Sequence, residues 1–191
     1  MKDARGREIK YLRVSVTDRC NLRCKYCMPN GIECVEHKDI LSFEEIRQIA
    51  VCGARLGITK IRLTGGEPLA RKGCPELICM LKEIPGIEKI AMTTNGTLVR
   101  AILPELVEAG LDEINISLDT LDAGMFAAIT GQDLLPEVLL AIDAALAAGL
   151  KVKVNAVSMP DTDWKRLITL AKDKPVDVRF IELMPIGEGR H

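Results

Sequence analysis

The chain has 191 residues, with 26 basic against 27 acidic side chains and a formal net charge of −1. An apolar fraction of 48% suits one soluble domain with its own core, and no uncharged apolar run approaches the roughly eighteen residues of a membrane span. Only six residues are aromatic and no basic stripe is interleaved with stacking side chains, so neither a membrane nor nucleic acid is an expected partner.

The charged start, MKDARGREIKYLRVSV, lacks the apolar region of a secretory signal, which predicts a cytoplasmic protein. Seven cysteines make an odd number, and a reducing compartment keeps structural disulfides rare, so a metal or redox role outranks a disulfide framework. Within residues 1–25 eight side chains are basic (Lys2, Arg5, Arg7, Lys10, Arg13, Arg19, Arg23, Lys25) and three acidic (Asp3, Glu8, Asp18). Such an arm is either a solvated face or part of a site for an anion.

In chain order, YLRVSVT alternates as a strand over 11–17, and SFEEIRQIAVCGARLG predicts a helix over 42–57, opened by a Ser-x-x-Glu capping box and closed by glycine. KIRLT (60–64) reads as the second strand, CPELICMLKEI (74–84) as a helix with Pro75 in its first turn, and KIAMTTN (89–95) as the third strand. The next helix, over 99–110, contains Pro104, which is expected to bend it or break it in two. A strand over 113–119, a helix over 134–149, a strand over 151–157, a helix over 162–172 and a strand over 176–183 complete the pattern.

Six strands separated by helices imply a parallel α/β sheet with right-handed crossovers and no internal linker. A closed eight-stranded barrel takes about 250 residues, so the alternatives are a partial (β/α)6 barrel and an open doubly wound sheet. Both gather ligands at the carboxyl ends of their strands. Thr17, Thr64, Asn95, Ser117, Asn155 and Met184, from six strand ends, are therefore expected to converge on one cavity.

The segment DRCNLRCKYCMPNG places Cys20, Cys24 and Cys27 within eight residues. Their i, i+4, i+7 spacing could mark three small side chains on one helix face. No helical apolar pattern surrounds them, and Pro29-Asn30-Gly31 signals a turn, so a loop carrying three thiolates is the better picture. Structural zinc requires a fourth ligand, for which His37 is a lone candidate and more readily a surface residue. An iron-sulfur cube with three thiolates keeps one iron open for chemistry. Gly65 and Gly66, in LTGGEPL, either let a ligand approach the backbone closely or form a helix-entry turn.

Cys20, Cys24, Tyr26 and Cys27, followed by Gly65-Gly66-Glu67-Pro68 at the end of the second strand, resemble the two signatures of the radical S-adenosylmethionine superfamily. Taken with MTTNGTLV, INISLDTL, VKVNAV and FIELMPIG, nearly the whole chain is similar to the N-terminal two-thirds of the GTP 3',8-cyclase family, which begins molybdenum cofactor biosynthesis. The resemblance implies a [4Fe-4S] cluster on Cys20, Cys24 and Cys27. It implies a site for S-adenosylmethionine formed by Tyr26, Gly65, Gly66, Glu67, Ser117 and Met184, where Met184 could equally be a core methionine. Arg13, Arg62, Thr93 and Lys153 match GTP-contacting positions. No phosphate-binding Gly-x4-Gly-Lys loop is present, so GTP would be a substrate and not a fuel. An external electron donor is also implied, a homodimer is allowed, and no side-chain acid or base is needed for the first step. Cys34, Cys52, Cys74 and Cys79 match no ligand position.

Such enzymes carry a further C-terminal region with a second three-cysteine cluster, which residues 1–191 do not include. On that ground the chain is expected to be a truncated radical S-adenosylmethionine core domain that begins the reaction without finishing it. Two other readings stay open: an enzyme of the same superfamily acting on a peptide or another small molecule, and a catalytically silent cluster-binding fragment.

Overall fold

The computed structural model describes residues 2–31, 35–160 and 162–184. Cys34, the side chain of His37 and the residues after Met184 lie outside this description. Six strands, β1 (Tyr11–Ser15), β2 (Lys60–Thr64), β3 (Lys89–Thr94), β4 (Glu113–Ser117), β5 (Lys151–Ser158) and β6 (Asp177–Glu182), form one sheet in sequence order, every neighbouring pair parallel. A doubly wound sheet reverses its strand order at a switch point. The unbroken order excludes that alternative and leaves a partial barrel, an arc with β1 and β6 unpaired to each other.

Six helices follow the strands: α1 (Phe43–Arg55), α2 (Cys74–Lys82), α3 (Val99–Glu108), α4 (Ala123–Thr130), α5 (Leu135–Ala147) and α6 (Trp164–Asp173). Right-handed crossovers stack successive helices on the same side of the sheet, so only one face is covered. Ile61, Leu63, Ile90, Met92, Ile114, Ile116 and Val154 turn to that face and share a fully buried core with Leu77, Leu81, Leu106, Val138, Ala141 and Leu167 of the helices. The opposite face is polar: the register sets Arg13 beside Arg62, Asn115 between Thr93 and Lys153, and Asn155 between Ser117 and Arg179. Parallel sheets ordinarily bury both faces in apolar residues, so this concave face is built for water or a ligand.

The Ser42–Glu45 capping box is formed in both directions, with Ser42 Oγ accepting from the Glu45 amide at 3.2 Å and Glu45 Oε2 from the Ser42 amide at 2.7 Å. Two expectations need correction. Pro104 does not break α3, because it is exposed while Leu103 and Leu106 hold the buried side, so the carbonyl that loses its partner faces water. Helix α4 had no sequence signal: it has only eight residues, apolar on most sides, between an Asp122 cap and Gly131 at φ 78°. Strands β1, β3 and β4 also stop one or two residues early, at Ser15, Thr94 and Ser117, and the polar residues beyond them turn into site loops.

Candidate active site

The cysteine segment is a loop. Leu22, buried to 3%, anchors it, and the Arg23 and Lys25 amides donate to the carbonyls of Thr130 and Ile129 at the end of α4, both at 2.9 Å. The Arg23 guanidinium folds back to the carbonyls of Cys20 and Leu22, each at 2.8 Å, while one turn closes through Cys27 and Met28 amides on the Cys24 carbonyl. No helix runs through Cys20, Cys24 and Cys27, so a packed helical stripe is ruled out. Part of the basic arm is paired within itself, Arg7 with Asp3 at 2.7 Å and Lys10 with Glu8 at 2.8 Å.

The glycines of the second motif lie against this loop. A Cβ on Gly65 would sit 2.5 Å from the Thr17 carbonyl oxygen, and one on Gly66 2.3 Å from that of Arg19. The Gly66 and Glu67 amides donate to those same carbonyls, each at 2.7 Å. What these glycines admit is first of all the chain's own cysteine loop. Glu67, fully buried, accepts from the Thr94 hydroxyl (2.7 Å) and the amides of Asn95 (2.7 Å) and Leu69 (3.1 Å), bracing β2 against β3. Burial raises its carboxyl above the ordinary value, and these donors hold against that shift. Its carboxylate is thereby committed to the protein.

Beneath the loop, a cavity of about 420 Å³ opens on the polar face. Arg13, Arg62, Thr93 and Ser117 line it together with Tyr26, and Tyr11, Asn115, Asp119, Asn155 and Arg179 join them; Lys153 is not among the lining residues. The Tyr26 hydroxyl donates to Asp119 Oδ2 at 2.7 Å, and the Val157 amide to Asp119 Oδ1 at 2.8 Å. Burial raises the carboxyl of Asp119 and, with that carboxylate beside it, the phenol of Tyr26. Arg62 Nη1 reaches Thr93 Oγ1 at 3.3 Å, and Arg13 Nη2 reaches Thr64 Oγ1 at 3.4 Å.

Glu113, buried and outside the cavity lining, ties together the cations of this face. Its Oε2 meets Lys60 Nζ at 2.6 Å, Lys153 Nζ at 3.5 Å and Arg62 Nη2 at 4.0 Å. Burial pushes the Glu113 carboxyl up, but Lys60 and Lys153 together bring it below its ordinary value. Burial lowers the Lys153 ammonium, against the pull of Glu113. Buried Arg62 and Lys153, half-buried Lys60, and Arg13 and Arg179 at the cavity outnumber the carboxylates Glu113 and Asp119, which leaves a surplus of positive charge for an anion.

Of the six strand-end residues, Ser117 and Asn155 line the cavity, Thr64 supports Arg13, Asn95 touches the cysteine loop, and Thr17 lies beneath it. Met184 is not brought in: it is 65% exposed, past the end of edge strand β6, where no neighbouring strand directs it inward. Asp119 was missed by sequence reasoning, although it sits in the motif SLDTL; Asn95 was named only as a strand end, and its contact with the cysteine loop was not foreseen. The polar alternation Tyr11-Arg13-Ser15, Lys60-Arg62-Thr64, Glu113-Asn115-Ser117 was the signal for the whole face.

Burial, with Asp119 and the other two loop thiols nearby, pushes the Cys24 thiol up to about 12, and burial raises Cys27 as well. Unbound, Cys24 stays protonated; a cation would be needed to hold it as thiolate. Among the described residues no three His, Cys, Asp or Glu side chains converge on a point where one metal ion could sit. Three thiols on one loop suit a polynuclear iron-sulfur cluster, in which each thiolate takes a different iron.

The family described as the Radical SAM superfamily matches residues 14–173. The chain is similar to the GTP 3',8-cyclases of Heliobacterium modesticaldum, at 50% identity over 99% of this chain and 59% of that protein, and of Clostridium perfringens strain 13, at 48% over 100% and 60%. It spans about 60% of the length of the curated relatives it matches. Its fold is similar to that of Streptococcus suis SuiB bound to S-adenosylmethionine, with TM-score 0.77 and 20% identity over 91% of this chain and 40% of that one. Methylornithine synthase gives TM-score 0.74 at 20% identity, over 92% of this chain and 53% of that chain. Because the family match runs from β1 to the end of α6 without a break, this chain belongs to the radical S-adenosylmethionine superfamily.

Proposed function

We propose that the chain is the radical S-adenosylmethionine core (residues 1–191) of a GTP 3',8-cyclase, a lyase that converts GTP to (8S)-3',8-cyclo-7,8-dihydroguanosine 5'-triphosphate in molybdenum cofactor biosynthesis. The observation that carries this reading is the cation-rich cavity directly below the three-cysteine loop, in a chain 48–50% identical to proteins of that name. Cys20, Cys24 and Cys27 would hold a [4Fe-4S] cluster; a second cluster is expected only in a full-length relative. When bound, the cluster supplies one electron, drawn from an external donor, that splits S-adenosylmethionine into methionine and a 5'-deoxyadenosyl radical.

The protein's own residues bind and orient. Tyr26, held by Asp119, and Ser117 stand between the loop and the cavity, where the nucleoside of S-adenosylmethionine would lie against them. The Gly65-Gly66 backbone fixes the loop on its other side, and Met184 joins the site only if the chain after β6 turns inward. Arg13, Arg62 and Lys153, with the Thr93 hydroxyl, would take the triphosphate: guanidinium forks match phosphate oxygens in pairs, and Lys153 adds a point charge from below. Held so, the ribose of GTP would lie toward the cysteine loop. Enclosure by the arc limits water, and positioning of this kind can supply up to about 7 to 11 kcal/mol of a barrier.

Calorimetry of GTP against the anaerobically reconstituted chain tests the substrate. Binding that falls at least about tenfold in Arg62→Ala supports the reading, since losing one bidentate phosphate contact removes about 1.5–3 kcal/mol. Equal binding by wild type and Arg62→Ala, or none by either, contradicts it and favours another substrate.

A further inference from the structure

Asn95 is the first residue beyond β3, and its side chain is the polar group that connects the end of this strand to the cysteine loop. Its Oδ1 accepts from the Thr97 amide at 3.0 Å and from the Thr97 hydroxyl at 2.7 Å. A backbone amide can only donate, so the atom facing Thr97 must be the oxygen, and the amino group must face the other way. There Nδ2 donates to Asn21 Oδ1 at 2.8 Å and stands 3.9 Å from Cys20 Sγ, within reach of a hydrogen bond to sulfur. Asn21 Nδ2 closes a ring by donating to Thr97 Oγ1 at 2.9 Å. The two N–H bonds of the Asn95 amide are thereby assigned, one to Asn21 and one to the sulfur.

The Asn95 backbone is fixed as firmly. Its amide donates to Glu67 Oε2 at 2.7 Å, and Glu67 is fully buried, so this end of β3 has little freedom to withdraw from the loop. Cys20 Sγ also accepts from the Leu22 amide at 3.4 Å. With the Leu22 amide and Asn95 Nδ2, Cys20 Sγ has two donors from other residues; Cys24 has only its own amide, and it lies near the carboxylate of Asp119, which opposes negative charge. The three thiols are therefore electrostatically unequal before any ligand binds.

We propose that Asn95 is a positioning residue whose amide hydrogen-bonds the Cys20 thiolate and raises the reduction potential of the cluster carried by the loop. The proposal rests on the cluster reading given above. A donor to a ligating sulfur stabilises the more electron-rich, reduced cluster more than the oxidised one, and hydrogen bonds to sulfur are among the protein's means of setting that potential. The asymmetry eases the uptake of one electron from a donor, while Asp119 works the other way at Cys24.

The test is an anaerobic redox titration of the reconstituted chain followed by electron paramagnetic resonance, for wild type, Asn95→Ala and Asn21→Ala. At the ambient potential that half-reduces the wild type, Asn95→Ala should show a ratio of reduced to oxidised cluster about three- to tenfold lower, the span one weak hydrogen bond supplies. Asn21→Ala opens the side-chain ring but keeps the amide on sulfur, so its ratio should stay within about twofold of wild type. A purely structural role would shift both variants alike or neither, and either result overturns the proposal. Should Asn95→Ala take up less iron than wild type, Asn95→Ser, too short to reach Cys20, is titrated instead, and an unshifted potential there overturns the proposal. A wild-type chain with no redox-active cluster contradicts the reading beneath it as well, which separates the two failures.

Discussion

A methyl group on Gly66 would lie 2.3 Å from one carbonyl oxygen and 2.5 Å from another, both in the backbone that leads into the cysteine loop. Neither can yield as a flexible side chain would. Gly66→Ala should therefore cost about 2–4 kcal/mol in denaturant unfolding and lower iron content, because the loop must move away. A fully loaded, equally stable Gly66→Ala protein would show that this approach is unnecessary. The cysteines divide by environment. Alanine at Cys20, Cys24 or Cys27 should abolish binding of about four irons and four sulfides per chain, while serine at exposed Cys52 or Cys79 should leave it intact. Cys74, 2% exposed, has its thiol pushed up to about 12 by burial and behaves as a core residue. Retained iron in all three loop variants would contradict the ligand assignment.

Two elements carry the site on their ends. Helix α4 presents the Ile129 and Thr130 carbonyls to the loop, and its start is fixed by Asp122 Oδ1, which accepts from the Met125 amide at 2.8 Å. Asp122→Ala should cost about 1 kcal/mol and speed hydrogen exchange at the Arg23 and Lys25 amides, measured by mass spectrometry; unchanged exchange there would separate the helix from the loop. Strand β4 begins with Glu113, whose carboxyl lies below its ordinary value of 4.5. A depressed folded-state value means stability that is present above 4.5 and lost as pH falls through the folded value. The gap between wild type and Glu113→Gln should thus be full at neutral pH, at about 3 kcal/mol, and shrink on acidification. A gap that stays constant down to about pH 3 would show that Glu113 is not acting as a charge.

At the scale of the molecule, the alternation of strand and helix was enough to expect a partial barrel, because six βα units leave a parallel sheet few choices. What separated it from a doubly wound sheet was strand order, which no local pattern carries. The cysteine loop and Gly65-Gly66 were legible as motifs, yet their joint reason was not: the glycines are needed because Thr17 and Arg19, about fifty residues earlier, pass directly over them. Arg13, Arg62 and Thr93 were named by resemblance to a family, and the polar alternation along β1 and β2 agrees with where they lie. Asp119, Asn95 and Glu113 act mainly through partners distant in sequence, so a motif or a strand end can mark the residue without showing what it does. Met184 shows the reverse case, a motif residue whose position depends on chain beyond the edge strand.

Under the proposed function, the loop and the cavity together generate a nucleoside radical. The most direct measurement is anaerobic chromatography of the reconstituted chain incubated with S-adenosylmethionine and dithionite. The expected products are 5'-deoxyadenosine and methionine in equal amounts, both lost in Cys24→Ala. A chain that binds its iron and sulfide in full yet forms neither product, or forms them equally well without Cys24, would contradict it.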